Sequence, residues 1–198
     1  MMAEEFSKTI QERFAQHVIG THHFRGQETV LIKRDGLLLV AQALRDDPAM
    51  RFDFLMDVTA VDYVKFGTTL NSAPTLTTPS PLPYFMKPKP VTETWQRGVS
   101  HDEYRFEIVY HFYSSIHHRR LRLKVPLTAA DPKVASLTGL WASADWLERE
   151  VWDMFGVSFT GHPNLKRILM YEGFNGYPLR KDYPVRKRQP LIGPVNSP

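Results

Sequence analysis

The chain of 198 residues contains no cysteine. It therefore forms no disulfide bond, has no thiolate nucleophile and holds no iron–sulfur cluster on thiolates of its own. Long apolar runs are also missing, because the longest, at residues 37–41, falls far short of the ~20 residues that span a membrane.

The amino terminus, MMAEEF, has early acidic residues. It has neither the apolar core of a signal peptide nor the arginines of a transit peptide, so we expect a protein that is not exported. Hydrophobic residues make up 42% of the chain and charged residues 23%, which is ordinary for a globular protein. The length fits one substantial domain.

The net charge of +4 is unevenly distributed along the chain. Residues 157–198 contain seven lysines and arginines against two acidic residues, so this part alone exceeds the net charge of the whole. Such a segment is either a solvated basic tail or a stretch that lies along an acidic protein, a nucleic acid or a membrane.

Hydrophobic spacing predicts the first secondary-structure elements. These are an amphipathic helix over 4–18, a strand over 29–33, a helix over 37–45 and a strand from 52 to about 66. Residues 67–100 differ in composition, with six of the 15 prolines, many serines and threonines and few charges. This composition predicts a long loop or insertion, the alternative being an extended arm that clasps a neighbour.

Apolar and charged residues alternate most clearly over 104–112 and 120–125, which a short connection separates. The pattern predicts an antiparallel hairpin with one apolar and one charged face, on which Glu107 faces the cations of the second strand. We therefore predict an α+β fold, with an antiparallel or mixed sheet covered by helices and an extended irregular C-terminal tail. Residues 1–156 would form the domain, with 67–100 inserted in it, and 157–198 a partner-binding segment.

A third helix is predicted between Asp145 and Gly156. Asp145 and Glu148 fit a D-x-x-E capping pattern, and Gly156 fits a left-handed helix end. One apolar stripe follows the helical period and comprises Leu147, Val151, Met154 and Phe155. Arg149 and Asp153 fall on the opposite side, four residues apart, where they are able to form an ion pair.

Trp146 and Trp152 lie off this apolar stripe. Tryptophan and arginine are enriched at interface hot spots, so a partner contact explains them, as does burial under the chain's own C-terminal segment. After the helix, Pro163 is placed to begin a short helix over 164–170. Residues 171–184 show no periodicity, and we expect them to become ordered against an external surface.

The sequence contains no recognisable motif for catalysis or for cofactor binding. Four of the eight histidines form two adjacent pairs, at 22–23 and 117–118, and no H-x-x-x-H or H-E-x-x-H metal-ligand spacing occurs. No phosphate-binding loop or nucleophile elbow is present either. Glu148, Glu150 and Asp153 diverge around one helix, with Arg149 among them, so they are not a catalytic carboxylate pair. His162 is better explained as a residue whose imidazole fixes the turn by bonding to backbone.

Three motifs near the C-terminus carry a specific resemblance: EREVWDMFG, then GHPNLKRIL, then PLRKDYP. Together with DVTAVDY at 57–63 and YRFEIVYHFYS at 104–114, they resemble the 30 kDa-type (C-type) subunit of the proton-pumping NADH:quinone oxidoreductase, respiratory complex I. The resemblance covers most of the chain outside 67–100 and is weakest in the N-terminal helix.

The resemblance implies a structural subunit without catalytic, cofactor-binding or metal-binding residues of its own. It would dock on the quinone-site (D-type) subunit, near the iron–sulfur subunits of the peripheral arm, while FMN, the iron–sulfur clusters, NADH and quinone are bound by partners. It would reach the cytoplasmic side of the bacterial inner membrane only through the complex. The residues expected to support docking are Trp146, Arg149, Trp152, Asp153, His162, Arg180, Lys181 and Asp182.

Two alternatives remain open at this stage. One is the equivalent subunit of a related ferredoxin-dependent or hydrogenase-type membrane complex. The other, from a different class, is a basic adaptor that binds nucleic acid, although acidic residues and prolines interrupt the cations of the tail.

Overall fold

A five-stranded mixed sheet with helices on one face forms the framework of the protein. The computed structural model describes residues 5–64, 104–184, 186 and 189, so the predicted insertion over 67–100 lies outside the described residues. The helices are α1 (Glu5–Arg13), α2 (Leu37–Asp46) and α3 (Ala144–Phe155). The strands are β1 (Val18–Phe24), β2 (Gln27–Ile32), β3 (Phe54–Asp62), β4 (Phe106–Ser114), β5 (Arg119–Leu127), β6 (Lys133–Ala135) and β7 (Ser158–Thr160).

The order of strands in the large sheet is β1-β2-β5-β4-β3. The central pair β2 and β5 is parallel, and the other neighbours are antiparallel. The predicted hairpin is β4 and β5, in register from Phe106 opposite Leu127 to Ser114 opposite Arg119. The prediction of a mixed α+β sheet is therefore confirmed, and β6 and β7 add a small parallel pair.

The core lies between the helices and one face of this sheet, which we call the inner face. Alternate strand residues point into it, so that Tyr110 of β4, Leu123 of β5 and Val30 of β2 are fully buried. Ile10 of α1 and Val151 of α3 pack into the same apolar cluster. Burial of this kind contributes about 1.5–3 kcal/mol for each large side chain, which holds the helices on the inner face.

The first helix is shorter than predicted. α1 ends at Arg13, and after a turn the chain enters β1 at Val18, although the apolar spacing continues through Phe14 to Val18. The reason is tertiary: β1 pairs along β2, whose edge would otherwise be open. Arg25 and Gly26 close this hairpin, both with positive φ.

The third strand is also shorter than predicted. It begins at Phe54 and ends at Asp62, inside the range 52–66. Its whole length pairs with β4, from Phe54 opposite Tyr113 to Asp62 opposite Phe106.

Among the described residues, no helix is long and apolar enough to cross a bilayer.

The start of α3 corrects the predicted capping box. Ser143 is the N-cap residue, and its side chain forms no capping bond. Glu148, expected to close the box, is fully buried, where it accepts hydrogen bonds from Ser136 Oγ at 2.6 Å and from the Leu137 N–H at 2.7 Å. Burial, outweighing these two bonds, raises the pKa of Glu148 to about 7.

The raised pKa predicts a pH-dependent stability. Below pH 4.5 the carboxyl is protonated whether the chain is folded or not, and its favourable contribution is complete. This contribution is lost as the pH rises through the folded-state value of about 7, because the unfolded chain then releases the proton more readily. Between acidic pH and pH 8 we expect this carboxyl to lower the free energy of unfolding by a value on the order of 3 kcal/mol, and we expect Glu148→Gln to abolish that decrease.

Urea unfolding at several pH values measures this difference. Because Gln keeps the shape and an acceptor for the Leu137 N–H, the variant should unfold with a flatter pH profile. Parallel profiles for the two proteins would contradict the assignment.

Candidate protein-docking site

Residues 163–184, which we call the C-terminal segment from here on, lie against α3 and against the ends of β3 and β4. The segment contains no helix over 164–170, so the prediction of a short helix there is wrong. An irregular segment must find partners for its backbone N–H and C=O groups outside a helix or a ladder. Buried and half-buried charged side chains supply those partners at three positions.

The first position is Asp153 on α3, whose side chain has no exposed surface. Its Oδ2 accepts the backbone N–H groups of Ile168, Leu169 and Met170 at 3.0, 2.9 and 2.8 Å. Its Oδ1 accepts Nη1 of Arg167 at 2.5 Å. Burial opposes ionisation, but these four donors outweigh it, and the pKa of Asp153 is lowered.

Asp153 therefore pairs with Arg167, and the predicted ion pair with Arg149 is wrong. Arg149 instead donates to the carbonyl groups of Lys166 and Arg167, each at 3.3 Å. The difference has a geometric reason, because Asp153 points under the segment while Arg149 reaches over its edge. Both residues thus hold the same short stretch from two sides.

Arg167 links this stretch to the next turn of the segment. Its Nη2 donates to the carbonyl groups of Phe174 at 2.9 Å and Gly176 at 3.2 Å. The guanidinium also lies over the rings of Trp152 and Tyr177, at 5.7 and 5.6 Å from their centroids. One side chain thereby satisfies two carbonyl groups and a buried carboxylate.

The second position is the C-terminal end of α3. Arg180 donates through Nε to the Phe155 carbonyl at 2.5 Å, where the helix leaves its carbonyl groups without intrahelical partners. Gly156 ends the helix with φ +73°, as predicted. A Cβ at Gly156 would lie 2.5 Å from atoms of both Tyr177 and Arg180, so a glycine is required there for space as well as for conformation.

The third position joins the segment to the sheet at the ends of β3 and β4. Asp62 is buried and accepts both Nε and Nη2 of Arg105, at 3.1 and 2.9 Å. It also accepts the backbone N–H of Lys181 at 2.9 Å, and Asp182 pairs with the same Arg105 at 2.7 Å. The side-chain bond from Arg105 lowers the pKa of Asp182.

His162 fixes the turn before the segment, as its sequence position predicted. Its Nδ1 accepts the Asn164 N–H at 3.0 Å, which leaves Nε2 as the donor to the Asp145 carbonyl at 3.1 Å. The ring is fully buried. No cluster of three or more His, Asp or Glu side chains suited to a metal ion occurs within the described ranges.

The predicted docking residues thus divide into supporting and exposed ones. Asp153 and the ring of His162 are buried, Arg149, Trp152 and Arg180 are half-buried, and all five are engaged within the chain. Trp146 stands out, 62% exposed with the Arg149 guanidinium over its ring. Lys181 and Asp182 are exposed, the first with its backbone bound and the second paired.

Four exposed large side chains lie on α3 and the attached segment, and we call them the C-terminal surface: Trp146, Leu169, Tyr171 and Leu179. The backbone N–H of Leu169 donates to Asp153 Oδ2 at 2.9 Å. The backbone N–H of Leu179, the residue before Arg180, donates to the Met154 carbonyl at 3.1 Å. The buried ion pairs therefore fix the backbone of a surface whose side chains face outward.

Sequence reasoning missed the partners of these ion pairs. Arg167, Arg105 and Asp62 carry the attachment, yet each is distant in sequence from the group it binds. The signal available in the sequence is the surplus of cations among residues 157–198, which by itself predicts a solvated basic tail or contact with an external surface. Two of those cations, Arg167 and Arg180, point inward.

Comparison with known proteins finds one family whose members match both most of the sheet and the C-terminal segment of this chain. Residues 30–189 match the family model described as the 30 Kd subunit of respiratory-chain NADH dehydrogenase. The chain belongs to this family. The matched range begins within β2 and contains β3, β4, β5, α3 and all three attachment positions of the segment.

Individual members of the family are similar over nearly the whole chain. The C-type subunit of the NADH-quinone oxidoreductase of Citrifermentans bemidjiense is 41% identical over 186 residues, which cover 93% of this chain and 92% of the relative. The corresponding subunit of a Roseiflexus species is 39% identical, and the match covers 85% of this chain and 76% of the relative.

Two solved structures share the fold. A trypsin-resistant fragment of Nqo5 is 27% identical with a TM-score of 0.54, covering 81% of this chain and 98% of the fragment. A chain of the membrane-bound sulfane sulfur reductase, an archaeal respiratory membrane complex, has a TM-score of 0.62 and covers 94% of this chain and 88% of its own. At 19% identity, that likeness concerns the fold alone.

Replacing Asp153 by Asn tests the first attachment position. The amide of Asn turns an N–H₂ group toward one of the four donors that bind Asp153, and it leaves the Arg167 cation without its counter-charge. We therefore expect the free energy of unfolding to fall by about 3–5 kcal/mol. Glu150→Gln, an exposed change on the same helix, should alter stability by less than about 0.5 kcal/mol. Urea unfolding gives both values, and equal effects would contradict the role of Asp153.

Replacing Gly156 by Ala tests the turn at the end of α3. The positive φ of Gly156 and the clash of a Cβ with Tyr177 and Arg180 together predict that the free energy of unfolding falls by about 1–3 kcal/mol. The matched control is Gly139→Ala, where a Cβ would meet no atom within 4 Å. A trypsin digest should also cut the Gly156 variant faster after Arg180, whereas identical digestion patterns would refute the attachment.

Proposed function

We propose that this chain is a non-catalytic structural subunit of a proton-pumping NADH:quinone oxidoreductase, docked through the C-terminal surface on the quinone-site subunit. Membership of the 30 kDa-type subunit family supports the setting. The choice of the quinone-site subunit as the partner follows from the resemblance of the three C-terminal motifs to the 30 kDa-type subunit of complex I.

The docking role is supported mainly by one observation, namely that large apolar side chains of this surface are exposed while the backbone that carries them is held in place. Trp146 and Leu169 are 62% and 56% exposed, although Trp146 lies on helix α3 and the backbone N–H of Leu169 is held by the buried Asp153. Exposed apolar side chains on an ordered irregular backbone are costly in water and favourable at an interface core. Because the surface is ordered in advance, docking loses little conformational entropy.

The chemistry of the reaction then belongs to the partners. Since the chain has no cysteine, iron–sulfur clusters ligated by thiolates are held by neighbouring subunits. In this proposal FMN, NADH and quinone are bound by partners as well, and the protein attaches to the cytoplasmic side of the bacterial inner membrane through the complex alone.

The nucleic-acid alternative loses its main support. It depended on the basic C-terminal segment, but Arg167 donates to Asp153 and Arg180 to the Phe155 carbonyl, so neither guanidinium is presented for phosphate contacts. The electron donor of the assembly is a separate matter, because a ferredoxin-dependent or hydrogenase-type complex would use the same docking surface. Identification of an NADH-binding flavoprotein in the purified complex separates these cases.

The docking role predicts the effect of a charge on the C-terminal surface. Trp146→Asp should lower the amount of the quinone-site subunit that co-purifies with the tagged chain by about tenfold or more, since a hot-spot residue is lost. Leu39→Asp is the matched control, because Leu39 is 52% exposed on α2 and lies outside this surface. An unchanged thermal unfolding midpoint shows that each variant folds.

The result is measured by mass spectrometry of detergent-extracted membranes from cells that lack the unmodified chain. Equal recovery of the quinone-site subunit with Trp146→Asp and with Leu39→Asp would exclude docking through this surface.

A further inference from the structure

The face of the large sheet opposite the helices, which we call the outer face, carries a second group of exposed apolar and basic side chains. Its open part lies at the end where β4 turns into β5. There Phe54 of β3 is 51% exposed and Met56 is 38% exposed. Farther along the same face Leu31 and Val109 are buried, so exposure is confined to this end.

The register of the strands places these residues in rows across the outer face. Phe54 lies opposite Tyr113, and Tyr113 opposite Arg120, so two aromatic rings and a guanidinium form the first row. In the second row, Asp57 lies opposite His111 and His111 opposite Arg122. The side chains of both rows point away from the helices.

A groove of about 320 Å³ lies at this end of the sheet, lined by all three residues of the second row and by Arg120 of the first. Among the residues that line it are Met56, Asp57, His111, Arg120 and Arg122. The strand residue Glu28 also contributes to the wall, but it lies opposite Leu121 on the inner-face register, and its carboxylate accepts the Ser7 N–H at 2.6 Å. Glu28 is therefore engaged with α1.

The arginines of the groove are incompletely satisfied. Arg122 donates from Nη2 to Gln27 at 2.8 Å, while its buried Nε has no hydrogen-bond partner. Arg120 forms no ion pair among the described residues, and the other cation of the strand, Lys124, is already paired with Glu107 at 2.6 Å. A buried donor on a cation without an acceptor is costly, and an arriving carboxylate would relieve that cost.

The charge around the groove supports the same conclusion. Burial lowers the pKa of His111, and the neighbouring cation Arg122 lowers it further, with smaller contributions from Lys124 and Arg120. Asp57, the one acid that raises it, is outweighed. His111 therefore favours its neutral form between the two arginines. Of the two acids that line the groove, Glu28 is bound by the Ser7 N–H, which leaves Asp57 as the one acid not otherwise engaged beside Arg120 and Arg122 among the described residues.

From these observations we propose that the outer-face groove binds an acidic segment of a second partner subunit, with a carboxylate on Arg120 and Arg122 and an apolar side chain against Phe54 and Met56. Arginine and aromatic residues around an apolar centre are typical of interface hot spots. The C-terminal surface lies on the helical side of the sheet, so this face would join a different neighbour. The proposal rests on the proposed function for its setting, the assembled complex.

The absence of native cysteine makes a direct test possible, because a single introduced thiol is the only one in the chain. Phe54→Cys and, separately, Trp146→Cys are treated with a maleimide in the isolated chain, in the detergent-purified complex and after denaturation. We expect Phe54→Cys to be labelled in the isolated chain and to lose its labelling in the complex.

Each other outcome overturns the proposal. Equal labelling of Phe54→Cys in the chain and in the complex means that no partner covers the face. Protection already present in the isolated chain means that the chain itself or a second copy covers it. Trp146→Cys reports separately on the proposed function, so the two failures are distinguishable.

A charge series tests the acidic nature of the partner. Arg120→Glu should lower incorporation into the complex by about tenfold and Arg120→Gln by less, as expected for a contact between opposite charges. Lys33→Glu, an exposed charge reversal at the end of β2, should leave incorporation unchanged. If Arg120→Glu and Lys33→Glu behave alike in folded protein, the acidic partner is refuted.

Discussion

The carboxylate of Asp153 is the contact on which the C-terminal part of this structure depends. It lies under a stretch of chain with no secondary structure, and three consecutive N–H groups point at one of its oxygens. Those groups would be satisfied by a helix if the stretch formed one. The buried charge replaces that helix, and Arg167 compensates the charge and bonds to two further carbonyl groups.

The other two attachment positions follow the same physical rule. Arg180 satisfies carbonyl groups at the end of α3, and Asp62 accepts a backbone N–H of the segment while Arg105 neutralises it. In each case a charged side chain takes the place of a regular hydrogen-bond partner. The segment is therefore held by its own domain as far as Asp182, and its outward side chains acquire fixed positions without a core of their own.

The sheet separates two surfaces with different properties. On the helical side, Trp146 and Leu169 belong to an apolar surface supported by internal ion pairs. On the outer face, Arg120 and Arg122 retain hydrogen-bonding capacity that no described acid uses. A rigid sheet with different chemistry on its two sides suits a subunit that connects neighbours within a larger complex.

Local patterns predicted a large part of the framework. The alternation that defines β4 and β5, the apolar spacing of α2 and the glycine at the end of α3 each depend on neighbours within one element, and all three are confirmed. The specific motifs after residue 145 also identified the family. The absence of cysteine excluded, without any structure, a metal bound by thiolates of this chain.

Only the tertiary structure decided which charges meet. Asp153 has Arg149 four residues away on its own helix, yet it binds Arg167, which approaches from a separate segment and is 14 residues distant. Similarly, the spacing that suggested a helix through Val18 gave way to β1 because β2 had an open edge to fill. Partner choice for a buried charge depends on which backbone donors fold over it, and that information is spread across the chain rather than contained in any local pattern.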